Sequence, residues 1–117
     1  MIQSTIRMTI PPQKSGVVLK ILKSVVELGR EDAGCFSCHI AEDLEEKNVF
    51  MLEEIWRAEG AMHRHLCSDE YRNLLLVLEM ASKPPEIRFA TLSSASGIEV
   101  IEKARNRDRL SDRGVLR

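Results

Sequence analysis

The hydrophobic positions change their period several times along the chain, and each change marks a different predicted element. Near the amino terminus apolar and polar residues alternate, which is typical of a half-buried strand. One face of this strand carries Ile2, Ser4, Ile6, Met8 and Ile10. Pro11 and Pro12 end the alternation, and from about Ser15 the apolar residues recur at helical spacing. This predicted helix ends at Gly29.

Two strands are predicted after the helix. The first runs from Gly34 to Glu42, a charged turn covers residues 42–48, and the second strand runs from Val49 to Trp56. One face of the second strand carries Phe50, Leu52, Glu54 and Trp56, and the other carries Val49, Met51, Glu53 and Ile55. Because both faces are mostly apolar, we expect helices to cover one face and a second subunit to cover the other.

The remaining chain predicts two more helices, a strand and a final helix. A short helix covers Ala58–Cys67, and Ser68 is the N-cap of a helix that runs to about Ala81. A fourth strand covers Glu86–Ser93. The spacing of Ile98, Ile101 and Ala104 then suggests an amphipathic helix, followed by a charged, solvated tail over residues 106–117.

The order β-α-β-β-α-α-β-α predicts an α+β fold of the ferredoxin-like, split-βαβ type. Its four-stranded antiparallel sheet has helices on one face only. We expect one such domain over residues 1–93, with residues 94–117 as a helical extension and charged tail. A dimer that packs two open sheet faces together would hide the apolar residues of the uncovered face.

Composition narrows the range of partners. The chain has 117 residues and a net charge of −1, so no basic excess indicates a nucleic-acid partner. No apolar run approaches the roughly 20 residues that span a bilayer, and we expect no membrane partner. The amino terminus lacks the pattern of a secretory signal. We therefore expect a cytoplasmic protein with its three cysteines reduced.

The sequence Cys35-Phe36-Ser37-Cys38-His39 matches the C-x-x-C-H attachment signature of c-type haem. Haem attachment takes place outside the bacterial cytoplasm, which disfavours that interpretation here. In a regular strand, residues i and i+3 point to opposite faces. We therefore expect Cys35 and Cys38 to face opposite ways, and Cys38 and His39 as well. Which of Cys38 and His39 faces the helices stays open.

A metal site is suggested by His63-x-His65-x-Cys67. On a helix, residues i and i+2 project about 200° apart, so the two histidines cannot share a metal ion. His63 and Cys67 can, but two ligands do not make a site. We expect no metal.

Several motifs together resemble one protein family. They are Gly34-Cys35, Phe50-x-x-x-Glu54-x-Trp56, His65-Leu66 and Ser68-Asp69-x-Tyr71. Over about Ile2–Leu92 the chain resembles the antibiotic biosynthesis monooxygenase (ABM) family. The resemblance implies a dimeric α+β barrel with a pocket between helices and sheet in each subunit. Several members oxidise quinols or polycyclic phenols with dioxygen and use no flavin, haem or metal, so no cofactor is expected.

The resemblance also assigns roles to individual residues. It implies that His65 is the general base, that Trp56, Tyr71 and Arg88 bind a small aromatic substrate, and that Glu54 supports His65. The alternatives are a structural His65–Glu54 pair and a Trp56 that only fills the core. At Cys38 many relatives carry an aromatic residue, and the segment after Ser94 extends beyond the common domain. The residues used by the haem-degrading branch of the family are not matched here.

Two classes of function follow. The leading hypothesis is a homodimeric, cofactor-independent monooxygenase acting on a small quinol or phenol. The alternative is a non-catalytic ligand-binding or dimerisation module of the same fold, and a third possibility is an isomerase-type relative that needs no oxygen.

Overall fold

The computed structural model describes residues 1–112, with side chains described as far as residue 107. The strands are β1 (Ile2–Thr9), β2 (Cys35–Glu42), β3 (Val49–Trp56) and β4 (Glu86–Thr91). The helices are α1 (Ser15–Glu31), α2 (Glu59–Leu66), α3 (Asp69–Leu78) and α4 (Ile98–Asp112), and a 3₁₀ turn at Pro12–Lys14 precedes α1. Every predicted element is present, and most ends move by only a few residues. α4 is longer than expected, because residues 106–112, predicted to belong to the charged tail, are helical. Residues 113–117 of the predicted tail lie outside the described residues.

The four strands form one antiparallel sheet in the order β2-β3-β1-β4. β1 pairs with β3 and β4, and β2 pairs with β3 across the hairpin. This confirms the predicted α+β, ferredoxin-like fold. None of the helices in residues 1–112 is both long enough and apolar enough to span a membrane.

The core lies between the sheet and the helices α1 and α3. Alternate residues of β1 and β3 are buried on this face, as the period-two pattern predicts. The helices contribute buried apolar residues at helical spacing, namely Val18, Leu22, Val25 and Val26 from α1 and Leu74 and Val77 from α3. The sheet therefore has one covered face and one open face.

The open sheet face is more polar than the pattern of β3 alone predicts. Thr5 pairs with Glu53 on one side and with Arg88 on the other, and His39 Nε2 lies 3.0 Å from Glu53 Oε2. Arg7 makes ion pairs with acidic side chains of the β2–β3 turn. Met51 and Ile55 are half-buried on this face. These two apolar positions are therefore set among charged and hydroxyl side chains.

β2 is irregular, and this changes where its cysteines point. Cys35 pairs with Trp56 and Cys38 with Glu54, with a register shift between Cys35 and Ser37. Directly opposed residues of an antiparallel pair lie on the same face. The expectation that the two cysteines face opposite ways is therefore wrong, because the bulge adds one residue to β2 and reverses the alternation.

The same irregularity determines which member of the Cys38–His39 pair faces the helices. Cys38 is buried, whereas His39 lies on the open face with its side chain 48% exposed. The two point to opposite sides, as a regular strand requires. In the C-x-x-C-H string, then, both cysteines face the helices and the histidine does not.

Candidate functional site

Four side chains from three elements meet beneath α2. β3 supplies Glu54 and Trp56, α2 supplies His65 and α3 supplies Tyr71, and all four are buried. The ring centroids of Trp56 and His65 are 4.9 Å apart, and those of His65 and Tyr71 are 5.6 Å apart in an edge-on arrangement. We call these four residues the buried cluster. The resemblance selected all of them, and the fold brings them into contact.

The closest polar contact of the buried cluster joins His65 to Glu54. His65 Nε2 lies 2.6 Å from Glu54 Oε2, with the two side chains 2% and 0% exposed. The contact is short, but its alignment is not that of a hydrogen bond. A buried carboxylate without a partner is costly, and the imidazole is the nearest group that can offset its charge.

Several buried polar atoms in this region have no hydrogen-bond partner among the described residues. They are Glu54 Oε1, His65 Nε2, Trp56 Nε1 and Ser4 Oγ. Ser4 belongs to the same region because it pairs with Glu54 across β1 and β3. Buried polar groups are nearly always hydrogen-bonded, so a group of unpaired ones at one place indicates a site that a polar ligand or water completes.

The Tyr71 phenol faces this region as a neutral group. Burial and then the nearby Glu54 carboxylate raise the pKa of Tyr71 well above its ordinary value. Ser4 lies near the Tyr71 hydroxyl without hydrogen-bond geometry. Tyr71 can therefore donate or accept a hydrogen bond, but it does not supply a charge.

Ser68 fixes the junction that orients His65 and Tyr71. Its Oγ accepts the Tyr71 backbone N–H at 3.2 Å, which caps α3, and donates to the His65 carbonyl oxygen at 2.7 Å. One hydroxyl thus ties the end of α2 to the start of α3. The N-cap predicted at Ser68 is confirmed.

An open cleft of about 350 Å³ lies at the outer side of His65. Its lining includes Leu28 and Asp32 from the end of α1, and Arg64, His65 and Glu70 from α2 and α3. Arg64 Nη2 lies 3.2 Å from Asp32 Oδ2 across the cleft. His65 therefore belongs both to the buried cluster and to the floor of a solvent-accessible cleft.

Arg88 is not part of the buried cluster. It pairs with Thr5 on the open sheet face, where it lines a separate cavity of about 590 Å³ together with Arg7 and Met51. Alternation along β1 determines this placement, because Thr5 points away from the helices while its neighbour Ser4 points towards them. The structure thus brings together four of the five site residues expected from the sequence.

Two further residues lie near the buried cluster: Ser4, which was not singled out from the sequence, and Cys38, whose side of the sheet was left open. Ser4 interrupts the apolar face of β1, and a polar residue at a core position is a signal that could have been used. Cys38 donates its thiol hydrogen to Glu54 Oε2 at 3.4 Å. No sequence pattern places Cys38 there, because its direction depends on the bulge in β2.

Within residues 1–107 no three histidine, cysteine or acidic side chains are grouped so that they could hold a metal ion. His63 Nε2 and Cys67 Sγ lie 3.7 Å apart on the exposed side of α2. His65 points into the core on the other side. The two histidines are therefore separated as the helical spacing predicts.

A family model described as antibiotic biosynthesis monooxygenase matches residues 1–75. An uncharacterized protein of Synechocystis sp. (strain ATCC 27184 / PCC 6803 / Kazusa) is 26% identical over 81 residues, which cover 68% of this chain and 55% of that protein. The chain thus spans about half the length of the curated relative that it matches.

Solved structures with the same fold include a protein from Deinococcus radiodurans, with a TM-score of 0.74 and 22% identity over 84% of this chain and 98% of the other. A conserved protein from Methanosarcina mazei Go1 has a TM-score of 0.69 and 24% identity over 76% and 89% of the two chains. An antibiotic biosynthesis monooxygenase has a TM-score of 0.70 and 18% identity over 80% and 100%. At these identities the similarity shows the fold.

Proposed function

The chain belongs to the antibiotic biosynthesis monooxygenase family, and from this membership we propose that it is a cofactor-independent monooxygenase that oxidises a small quinol or phenol with dioxygen. The observation that carries the proposal is the set of unpaired polar atoms on Glu54, His65 and Trp56, buried beside aromatic rings. Hydroxyl groups on a flat aromatic substrate would satisfy those atoms.

The chemistry assigned to the buried cluster is proton transfer. His65 accepts the phenol proton, and Glu54 stabilises the imidazolium that forms 2.6 Å away. The phenolate then reduces dioxygen directly. One oxygen atom becomes a new carbonyl on the ring, and the other leaves as water with the ring hydrogen and the hydroxyl hydrogen. Exclusion of bulk water from this region strengthens the interaction of Glu54 with the imidazolium.

The substrate reaches His65 through the open cleft between the end of α1 and the α2–α3 junction. His65 is the residue that the cleft and the buried cluster share. Entry of a ring requires Trp56 and Tyr71 to move apart around His65, so the aromatic side chains become the walls of the occupied site.

Oxygen uptake tests the proposal. Purified protein is mixed with a panel of benzohydroquinones, naphthohydroquinones and monophenols in an oxygen-electrode cell, and each rate is compared with spontaneous oxidation. For at least one compound we expect an acceleration of about 100-fold or more, the usual contribution of a positioned base. The matched methyl ethers have no phenolic proton and should stay inert. Rates equal to those in buffer for every compound would contradict the proposal.

A non-catalytic binding module is the second candidate, and one observation favours it. The His65 side chain is only 2% exposed and lies between Trp56 and Tyr71, so protein side chains fill the region. A phenol that quenches Trp56 fluorescence without any oxygen consumption would select this alternative. Conversion of a compound under argon would select an isomerase-type activity instead.

We also propose a homodimer in which the open sheet faces of two copies meet around Met51 and Ile55. Sedimentation equilibrium of the native protein at micromolar concentration should give twice the 13.3 kDa chain mass. Ile55→Glu should give the monomer, because it buries a charge in the interface. Val17→Glu is the control, since Val17 is exposed on α1. A native monomer would contradict this interface.

A further inference from the structure

The Cys38 thiol occupies a position that the proposed reaction has not used. Its Sγ–H donates to Glu54 Oε2 at 3.4 Å, and the same oxygen lies 2.6 Å from His65 Nε2. The other carboxylate oxygen, Oε1, has no partner among the described residues. The two oxygens of Glu54 are therefore inequivalent. Oε2 lies between a thiol and an imidazole, and Oε1 is left free.

Local structure holds the thiol in this position. The bulge between Cys35 and Ser37 sets Cys38 opposite Glu54 in the sheet. Arg30 Nε donates to the Cys38 carbonyl oxygen at 2.9 Å, which ties this residue of β2 to the end of α1. The backbone of Cys38 is thus held by its pairing with β3 and by Arg30, which keeps its side chain on the helix side of the sheet.

Gly29 allows α1 to pass close to Cys38 and His65. A Cβ at Gly29 would lie 3.1 Å from Cys38 Sγ and 3.4 Å from His65 Cε1. A Cβ at this position of α1 would crowd the thiol and touch the imidazole. The lack of one leaves Cys38 and His65 side by side against Glu54.

The thiol acts as a donor and not as a nucleophile. Burial and then the charge of Glu54 raise the pKa of Cys38 far above that of an ordinary thiol, so the proton stays on sulfur. Sulfur is only a weak donor, but a hydrogen bond to a charged acceptor is stronger than one to a neutral acceptor. Cys38 therefore supplies a permanent hydrogen bond to the carboxylate.

We propose that Cys38 is a positioning residue that holds Glu54 Oε2 at His65 and leaves Oε1 to accept a hydrogen bond from a substrate hydroxyl. The catalytic part of this role, the binding of a substrate hydroxyl at Oε1, rests on the proposed function. The structural part, the positioning of Glu54 by Cys38, does not. The role favours substrates with two hydroxyl groups, because one loses its proton to His65 and the second can donate to Glu54 Oε1.

The structural part is tested by the NMR titration of His65, with the resonance assigned through His39→Gln and His63→Gln. Without the thiol donor the negative charge on Glu54 is less stabilised and attracts the imidazolium form of His65 more strongly, so in Cys38→Ala the His65 midpoint should rise by about 0.5 pH unit. Cys38→Ser keeps a donor and should stay near the native midpoint. Cys35→Ala is the control, because Cys35 is on the same face without a bond to Glu54.

Other titratable or charged side chains around His65 are unchanged in these variants, so their influence cancels. They are Tyr71 in the core and Glu31, Asp32, Arg64 and Glu70 at the cleft. An unchanged midpoint in Cys38→Ala, or an equal shift in Cys35→Ala, would overturn the proposal. A His65 resonance that does not respond to pH in either protein would overturn it as well. If Cys38→Ala does not fold, the comparison of Cys38→Ser with the native protein still tests the proposal. A His65 midpoint in Cys38→Ser that differs greatly from the native midpoint would contradict the proposal.

The catalytic part is tested with a hydroquinone that the native protein oxidises. Cys38→Ala should lower kcat about 5-fold with little change in KM, and Cys38→Ser should restore most of the rate. A Cys38→Ala rate equal to native overturns the catalytic role. If native protein oxidises no phenol, the proposed function fails, while the NMR titration still decides whether Cys38 positions Glu54.

Discussion

Replacement of His65 by alanine should lower oxygen uptake with a phenolic substrate by about 100-fold or more, because the base that accepts the phenol proton is lost. His65 is the only imidazole of the buried cluster, and it contacts Glu54 at 2.6 Å. The decrease in rate should appear in kcat and not in KM, because His65 binds the proton only as it leaves the phenol in the transition state. Steady-state rates over a range of pH would measure it.

His63→Ala is the matched control for this loss. His63 lies two residues earlier on α2 but is exposed and faces Cys67. Its removal should leave the rate near native. His65→Gln separates chemistry from packing, because glutamine keeps a polar side chain at the site but cannot accept the proton. A fully active His65→Gln variant would contradict the role of His65 as the base.

The second large effect is expected in the free energy of unfolding. In His65→Leu the Glu54 carboxylate loses the partner of its buried charge, which should cost about 3 kcal/mol or more. The double variant Glu54→Leu/His65→Leu removes both polar side chains and roughly keeps the volume. Its free energy of unfolding should recover from that loss and be about 1–4 kcal/mol higher than that of the native protein, because a buried polar pair is often less stabilising than apolar packing.

Urea unfolding at pH 7 and fixed protein concentration would measure these differences, with the slope m as a check on two-state behaviour. This experiment separates the two interpretations of the pair. If Glu54 and His65 serve stability, the double variant should be less stable than the native protein, although it avoids the cost of an unpaired carboxylate that His65→Leu carries. If they serve chemistry, removal of both should stabilise the fold while activity disappears.

The order of elements could be predicted from the sequence because each element has a distinct period. The alternation of Ile6, Met8 and Ile10 in β1 and the helical spacing of Val18, Leu22 and Val25 in α1 are local properties, and burial in the structure follows them. The cap at Ser68 depends on one hydroxyl and one adjacent turn. Patterns that extend over only a few neighbouring residues can be interpreted without the tertiary structure.

The composition of the site was only partly predictable. Glu54, Trp56, His65 and Tyr71 were selected by family resemblance, and the fold brings them together. Arg88 was selected in the same way and lies on the opposite sheet face. A strand that is exposed along most of its length, as β4 is, carries no burial pattern that would reveal which side of the sheet its residues face.

The sequence by itself thus determined the element order, the fold class and the buried faces of β1, β3 and α1. All of these follow from periodicity over short windows. Tertiary structure alone decided that Cys35 and Cys38 share a face, that Cys38 bonds to Glu54, and that Gly29 packs against both Cys38 and His65. A single bulged residue reverses the alternation of a strand. The position of this bulge depends on how β2 pairs with β3, and the amino-acid sequence of β2 alone does not reveal it.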